Sequence, residues 1–305
     1  PAEQPLLWSF ARQIDLFSVW FFVLIGIAAR PLFGLDRRRA RLTALIFAAL
    51  YIVVMGWTGR GTAGRSVDPY EGWAEADFPP ALLRYSPAVE RREVSACGAA
   101  AREAIERCAA IAGADSLPRI EYLVYASLGE KGEITDNRSI AHGVEWAGAA
   151  HVAWVEGAEL ALTRETMKVI AAGTLGKVYN PLVHEGLAVY AGESWGGRPV
   201  TAAAAELVGE GRLPGLSRLV DPAGYAVLDR SLAEPASGAF TAFVAGRLGE
   251  RGLRDLYASS AGRGASVRGL LESALGDSID GIEREWRSFL TRAAEVDTVS
   301  DTGER

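Results

Sequence analysis

The sequence predicts an α+β protein: two transmembrane helices followed by a mainly helical outer domain with a small N-terminal β-sheet. Three observations predict it. Two nearly uncharged apolar runs fall in the first sixty residues, β-branched and aromatic segments stand at Ile120–Tyr125 and His151–Val155, and an almost unbroken helical pattern follows Thr163. The chain has 305 residues, 49% of them hydrophobic, with a formal charge of −6. That is enough for one large domain or two small ones with a sizeable core. The acidic balance argues against a nucleic-acid partner, because affinity for phosphate backbones rests on clustered Lys and Arg.

Leu16 to Ala29 and Leu42 to Trp57 read as a hairpin crossing the bilayer. Each run is slightly short of the ~20 residues of a span, and Arg30 and Arg41 extend both by reaching the interface. Arg37, Arg38, Arg39 and Arg41 in the short connection are expected to stay cytoplasmic, which places everything after Trp57 outside. The expectation is thus a cell-membrane protein with the lipid bilayer as partner and an extracytoplasmic C-terminal domain; a buried hydrophobic hairpin is one alternative, and a signal peptide made of the arginines and Leu42 to Trp57, cut near Thr62 to Gly64, is another that the preceding apolar run disfavours. Ile14–Trp20, the following LIGIAA and the Arg-rich turn resemble the closing hairpin of Yip-type membrane domains. Those domains have further upstream spans, so the resemblance implies a fragment of a longer protein.

The linker, residues 58–76, is glycine-rich and polar in its first part and lacks apolar periodicity. The outer domain is expected over 77–290, with a disordered tail over 291–305. Ala81 to Tyr85 reads as a short strand and Ala88 to Ala112 as a helix. That helix carries Cys97 and Cys108 on one face but about 16 Å apart by helix rise. They are out of disulfide reach and read as buried small residues. Pro118 introduces the strand Ile120–Tyr125, and His151–Val155 is a second strand.

Thr163 is expected to cap a helix through Met167, Val169 and Ile170 that stops near Gly173 or Gly176. Arg164 and Lys168, four apart, face the same way. Asn180 caps a second helix with Pro181 at its first position and Gly192 just past its end. On it Glu185 points inward with Val189, and Gly186 and Ala188 permit close approach of a neighbouring backbone. His184 projects about 100° away from Glu185 around the helix. No phosphate loop or metal-spaced Cys pair is present, and Gly192-Glu-Ser-Trp-Gly196 matches G-x-S-x-G only as a loop without the preceding strand that a nucleophile elbow needs.

The pair Arg164-Glu-Thr-Met-Lys168 and Asn180-Pro-Leu-Val-His-Glu-Gly-Leu-Ala-Val-Tyr190 resembles the peptidase MA-like domain of gluzincin-type zinc metallopeptidases. In these a helix bearing H-E-x-x-H is followed by one bearing W-L-x-E-G-L-A-x-Y. Ser237–Phe243, Arg247–Tyr257 and Gly276–Leu290 follow the family's closing order, so the likeness covers roughly Asp77 to Leu290. It implies a small sheet before a helical lobe, with the site between them. It also implies Glu165 in a vestigial general-base slot, the catalytic position, and Glu185 in the third-ligand slot.

The two imidazole slots hold Arg164 and Lys168 instead. Neither protonated side chain offers a metal a lone pair, so no metal and no cofactor are expected. Inward carboxylates without a metal need compensation, and an ion-pair cluster of Arg164, Lys168, Glu165 and Glu185 is expected to supply it. Binding residues are expected to be Arg164, Lys168, Glu185, His184 and Tyr190, with His142 and His151 structural. The function expected is that of a pseudoenzyme binding a peptide or membrane-protein partner, with the strand His151–Val155 offering its edge. An active zinc metallopeptidase with atypical ligands, a hydrolase, is one alternative; a structural or assembly domain of a membrane complex is another.

Overall fold

The computed structural model describes residues 68–262 and 264–302, with side chains as far as residue 294. The chain divides into two compact units at Glu71/Gly72, and the fold below is that of the second. Among the described residues no helix is long and apolar enough to cross a membrane. The long helices here bury one face and expose charges on the other, unlike a span. The runs 16–29 and 42–57, which carried the transmembrane reading, lie outside the described residues. The fold class is therefore corrected to an α+β domain, and the membrane-anchored, extracytoplasmic placement is not supported.

Five strands form one mixed sheet in the order β1-β2-β3-β5-β4. β1 (Ala74–Phe78) and β2 (Ala81–Tyr85) are an antiparallel hairpin. The helix α1 (Arg91–Ala112) then crosses to β3 (Ile120–Tyr125), parallel to β2. β3 is central and reads as a nearly continuous apolar run because both its faces are covered. α2 (Leu128–Thr135) leads to β4 (Ala141–Val144), a 3-10 turn (Glu145–Ala147) and β5 (Ala149–Ala153), which lies between β3 and β4. The expected strand at His151 is thus interior. Its edge is covered on both sides, and β4, which has no clear strand signal in four residues, is the edge strand on that side, with β1 at the opposite edge.

The buried Lys131 fixes the loop that delivers β4. Its Nζ donates to Ser139 O at 2.8 Å and to Asn137 O at 3.1 Å, so one ammonium replaces the solvation of several loop carbonyls. Cys97 and Cys108 are both buried and free.

The helical lobe begins with α3 (Ala158–Thr174), which packs on α1 and against β4 and β5. Thr163 is inside it, not at its cap: Gly157 in the left-handed conformation starts the helix, and Thr163 Oγ1 donates back to Glu159 O. α4 (Pro181–Gly192) starts on Asn180, whose side chain accepts from Leu182 N. It ends with Glu193, not a glycine, at φ 58°. α5 (Val200–Gly209), α6 (Leu216–Val220), α7 (Pro222–Ala226), α8 (Arg230–Ser259), α9 (Val267–Leu275) and α10 (Ile279–Thr302) complete the lobe. α10 continues to Thr302, into the segment expected as a tail.

α4 and α8 touch at glycine. A Cβ on Gly186 would lie 2.6 Å from Thr241 Oγ1 and 2.9 Å from Ser237 O. The second atom is backbone and cannot step aside. Gly186→Ala is expected to cost about 1–3 kcal/mol through overpacking, read as a lower urea midpoint with an unchanged slope.

Candidate functional site

Lys168 is the centre of the site. It sits on α3 one turn after Glu165, and its Nζ lies 3.1 Å from Glu165 Oε1 and 2.9 Å from Glu185 Oε2 on α4. The Lys168 side chain is 13% exposed, so the pairing takes place largely out of water. Burial alone would lower the lysine's pKa, but the charges of Glu165 and Glu185 and their hydrogen bonds outweigh it and hold it above its ordinary value. The ammonium is therefore fixed in its charged form.

The other oxygen of Glu165, Oε2, accepts from the backbone N–H of Gly143 on β4 at 2.8 Å. Ala153 N donates to Ile140 O, which makes Ile140–Ala153 a hydrogen-bonded pair in the β4/β5 ladder. In an antiparallel ladder the pairs alternate, so Ala141 and Gly143 turn their N–H and C=O groups outward. Glu165 thus reaches the free edge of the sheet, and Ser139 Oγ lies 2.8 Å from the outward Ala141 O.

Arg164 does not join this cluster. Its Nη1 is 3.5 Å from Glu234 Oε2, its Nη2 donates to Ser194 O at 3.1 Å, and the guanidinium stacks 4.5 Å from the Trp195 ring centroid. Glu234, on α8, also binds Arg230 Nε at 2.5 Å. Burial lowers the pKa of Arg164, opposed by the charges of Glu234, Glu185 and Glu165. The expected four-membered cluster is therefore a three-membered one around Lys168, with Arg164 paired on its flank. The reason is reach: Glu234, Ser194 and Trp195 surround the guanidinium from α8 and from the short hairpin of β6 (Ser194–Trp195) and β7 (Arg198–Pro199).

His184 faces away from Lys168 around α4. Its Nε2 lies 3.2 Å from Glu145 Oε1 and its Nδ1 3.3 Å from Tyr257 OH. A carboxylate only accepts, so Nε2 carries the proton and Nδ1 accepts from the tyrosine. Burial lowers the His184 pKa, partly offset by Glu185. Glu145 also binds Lys177 at 3.1 Å, so the turn after β4 is latched to the helical lobe. Tyr190 is half-buried and packs against the hydrophobic core. Gly143, Glu145, Glu234 and Tyr257 had no signal in the sequence, because their roles come only from contacts between distant elements.

His142 and His151 are cross-strand partners with rings stacked 4.5 Å apart, and His151 Nδ1 lies 2.6 Å from Tyr125 OH. Burial, and next the Lys131 charge, push both down to about 4.

The residues of the site do not fit a zinc ion. Of the positions the resemblance assigns to ligands, only Glu185 carries a donor, and its carboxylate is held by Lys168; one carboxylate does not hold zinc. Among the described residues no group of three or more His, Cys, Asp or Glu is arranged to hold a metal. No protein-family model matches the chain, and no curated protein matches it significantly.

Two outcomes are expected. Lys168→Met leaves two partly buried carboxylates without their shared cation and should cost about 1–3 kcal/mol in urea unfolding, below the figure for a fully buried pair. The double variant Lys168→Met, Glu185→Gln should recover part of that loss. Second, the folded pKa of His142 and His151 is depressed to about 4, so the unfolded chain binds more protons below its own value of about 6.5. Their contribution is fully present above that value and is lost as pH falls toward 4. The pH dependence of the urea midpoint should show this loss, and the variant with both histidines replaced by phenylalanine should flatten it.

Proposed function

We propose that this domain is a metal-free relative of the gluzincin-type peptidases that acts by binding a peptide or protein segment, without hydrolysing it. The observation that carries the reading is the Lys168 ammonium between Glu165 and Glu185, at 3.1 and 2.9 Å. It fills the space between the carboxylates that the resemblance assigns to general base and metal ligand. A protonated amine binds no metal and leaves Glu165 no water to activate by way of one.

The surface favoured for the ligand is the free edge of β4, which supersedes the interior strand at His151. An extended segment adding there as a further strand would use Ala141 N–H and Gly143 C=O, two outward groups that have no hydrogen-bond partner among the described residues. Main-chain bonding of that kind supplies affinity with little sequence demand.

Metal analysis of the purified protein together with a peptide-hydrolysis assay tests the first half. Less than stoichiometric zinc and no cleavage are expected, and bound zinc with turnover would sink the reading. Amide shifts on adding extended peptides test the second half: Ala141 and Gly143 should move, and His151 and Val152 should stay.

A further inference from the structure

Glu165 divides its two oxygens between donors of different kinds. Oε2 accepts from the outward N–H of Gly143 at 2.8 Å, and Oε1 takes the Lys168 ammonium at 3.1 Å. A backbone N–H and an ammonium converging on one carboxylate give short, charge-assisted hydrogen bonds, the chemistry by which proteins recognise carboxylates. Three features make this a built arrangement. A Cβ on Gly143 would lie 3.2 Å from Val169 and 3.3 Å from Glu165 Oε2, so a side chain there would crowd the carboxylate against the strand. The Glu165 side chain is only 15% exposed. Glu185 holds Lys168 from the other side at 2.9 Å, which keeps the ammonium in place whatever Glu165 does.

We infer that Gly143 N–H and Lys168 Nζ form a carboxylate-binding site at the β4 edge, filled in cis by Glu165 and taken over by a carboxylate of the bound peptide. The inference rests on the peptide-binding reading for the source of that carboxylate, a free C-terminus or an Asp or Glu side chain. Exchange of one carboxylate for another leaves the charge beside Lys168 unchanged, and Glu185 still holds the ammonium from the other side. Selectivity follows directly. A tethered competitor acts at an effective concentration of about millimolar or more, so a neutral peptide end does not displace Glu165 and an anionic one does so weakly.

The test compares wild type with Glu165→Ala, using acetate, an acetylated peptide with a free C-terminal carboxylate, and the same peptide as its amide. Amide NMR of Gly143 and its hydrogen exchange are read alongside affinity. In Glu165→Ala the Gly143 amide should exchange faster, shift saturably with acetate and regain protection. The peptide acid should bind that variant about 10-fold tighter or more than wild type, and the peptide amide should gain nothing from the substitution. Should the alanine variant not fold, Glu165→Gln has the same length without the charge and should give the same ordering.

Absence of a saturable acetate shift at Gly143, with equal peptide-acid affinity in both proteins, overturns the inference. The two proposals fail separately. Acetate filling the variant while no peptide pairs with β4 overturns the peptide reading alone, and peptides binding β4 equally in both proteins overturn the carboxylate site alone.

Discussion

The Lys168 ammonium is what allows the helix pair α3/α4 to pack as it does. Both helices turn a glutamate toward the other, and two carboxylates largely removed from water repel each other and forfeit their hydration. One cation placed between them converts that repulsion into two attractive contacts. The remaining charge on Glu165 is solvated by the backbone N–H of Gly143. Removing the lysine is therefore a different perturbation from removing the whole cluster, because only the first strands charge in the interior.

The same interaction joins the two parts of the domain. Glu165 belongs to the helical lobe and Gly143 to the edge of the sheet, and the turn that follows β4 is tied to the lobe again by Glu145 through His184 and Lys177. With Lys131 holding the loop before β4, the edge strand is anchored at both ends and in its middle. An edge whose outward groups meet side chains of its own chain is also protected from uncontrolled pairing with other strands.

Arg164 illustrates how far residue type alone carries an argument. Its four-residue spacing from Lys168 puts both cations on one side of α3, and charge balance suggests that both serve the same two glutamates. The longer guanidinium instead finds Glu234, a backbone carbonyl and an indole face, the combination of planar fork and stacking surface that suits arginine and not lysine. Lys168, a compact point charge, takes the position between two carboxylates.

Local chemistry made several elements readable in the sequence. Asn180 followed by Pro181 marks the start of α4, and the strands β2 and β3 coincide with the expected segments, because caps, fixed proline φ angles and β-branched runs act within a few residues. Thr163 misled because a threonine inside a helix bonds its own preceding turn as readily as it caps one. The apolar runs before residue 58 suggested a membrane hairpin from hydropathy alone, and the described helices contain no such span. Which strand would lie at the edge was beyond the sequence: β5 follows β4 in the chain but sits inside it, because pairing in a sheet is set by long-range contacts.

What the sequence determined by itself was that Arg164 and Lys168 bring a guanidinium and an ammonium, neither with a lone pair for a metal, to one side of a helix, since donor chemistry belongs to the residue and needs no fold. What only the tertiary structure decided was which carboxylate each cation meets and which backbone N–H completes the set. Those partners come from helices and strands far apart in the chain, and an ion pair exists only where packing brings its two halves within a few ångströms.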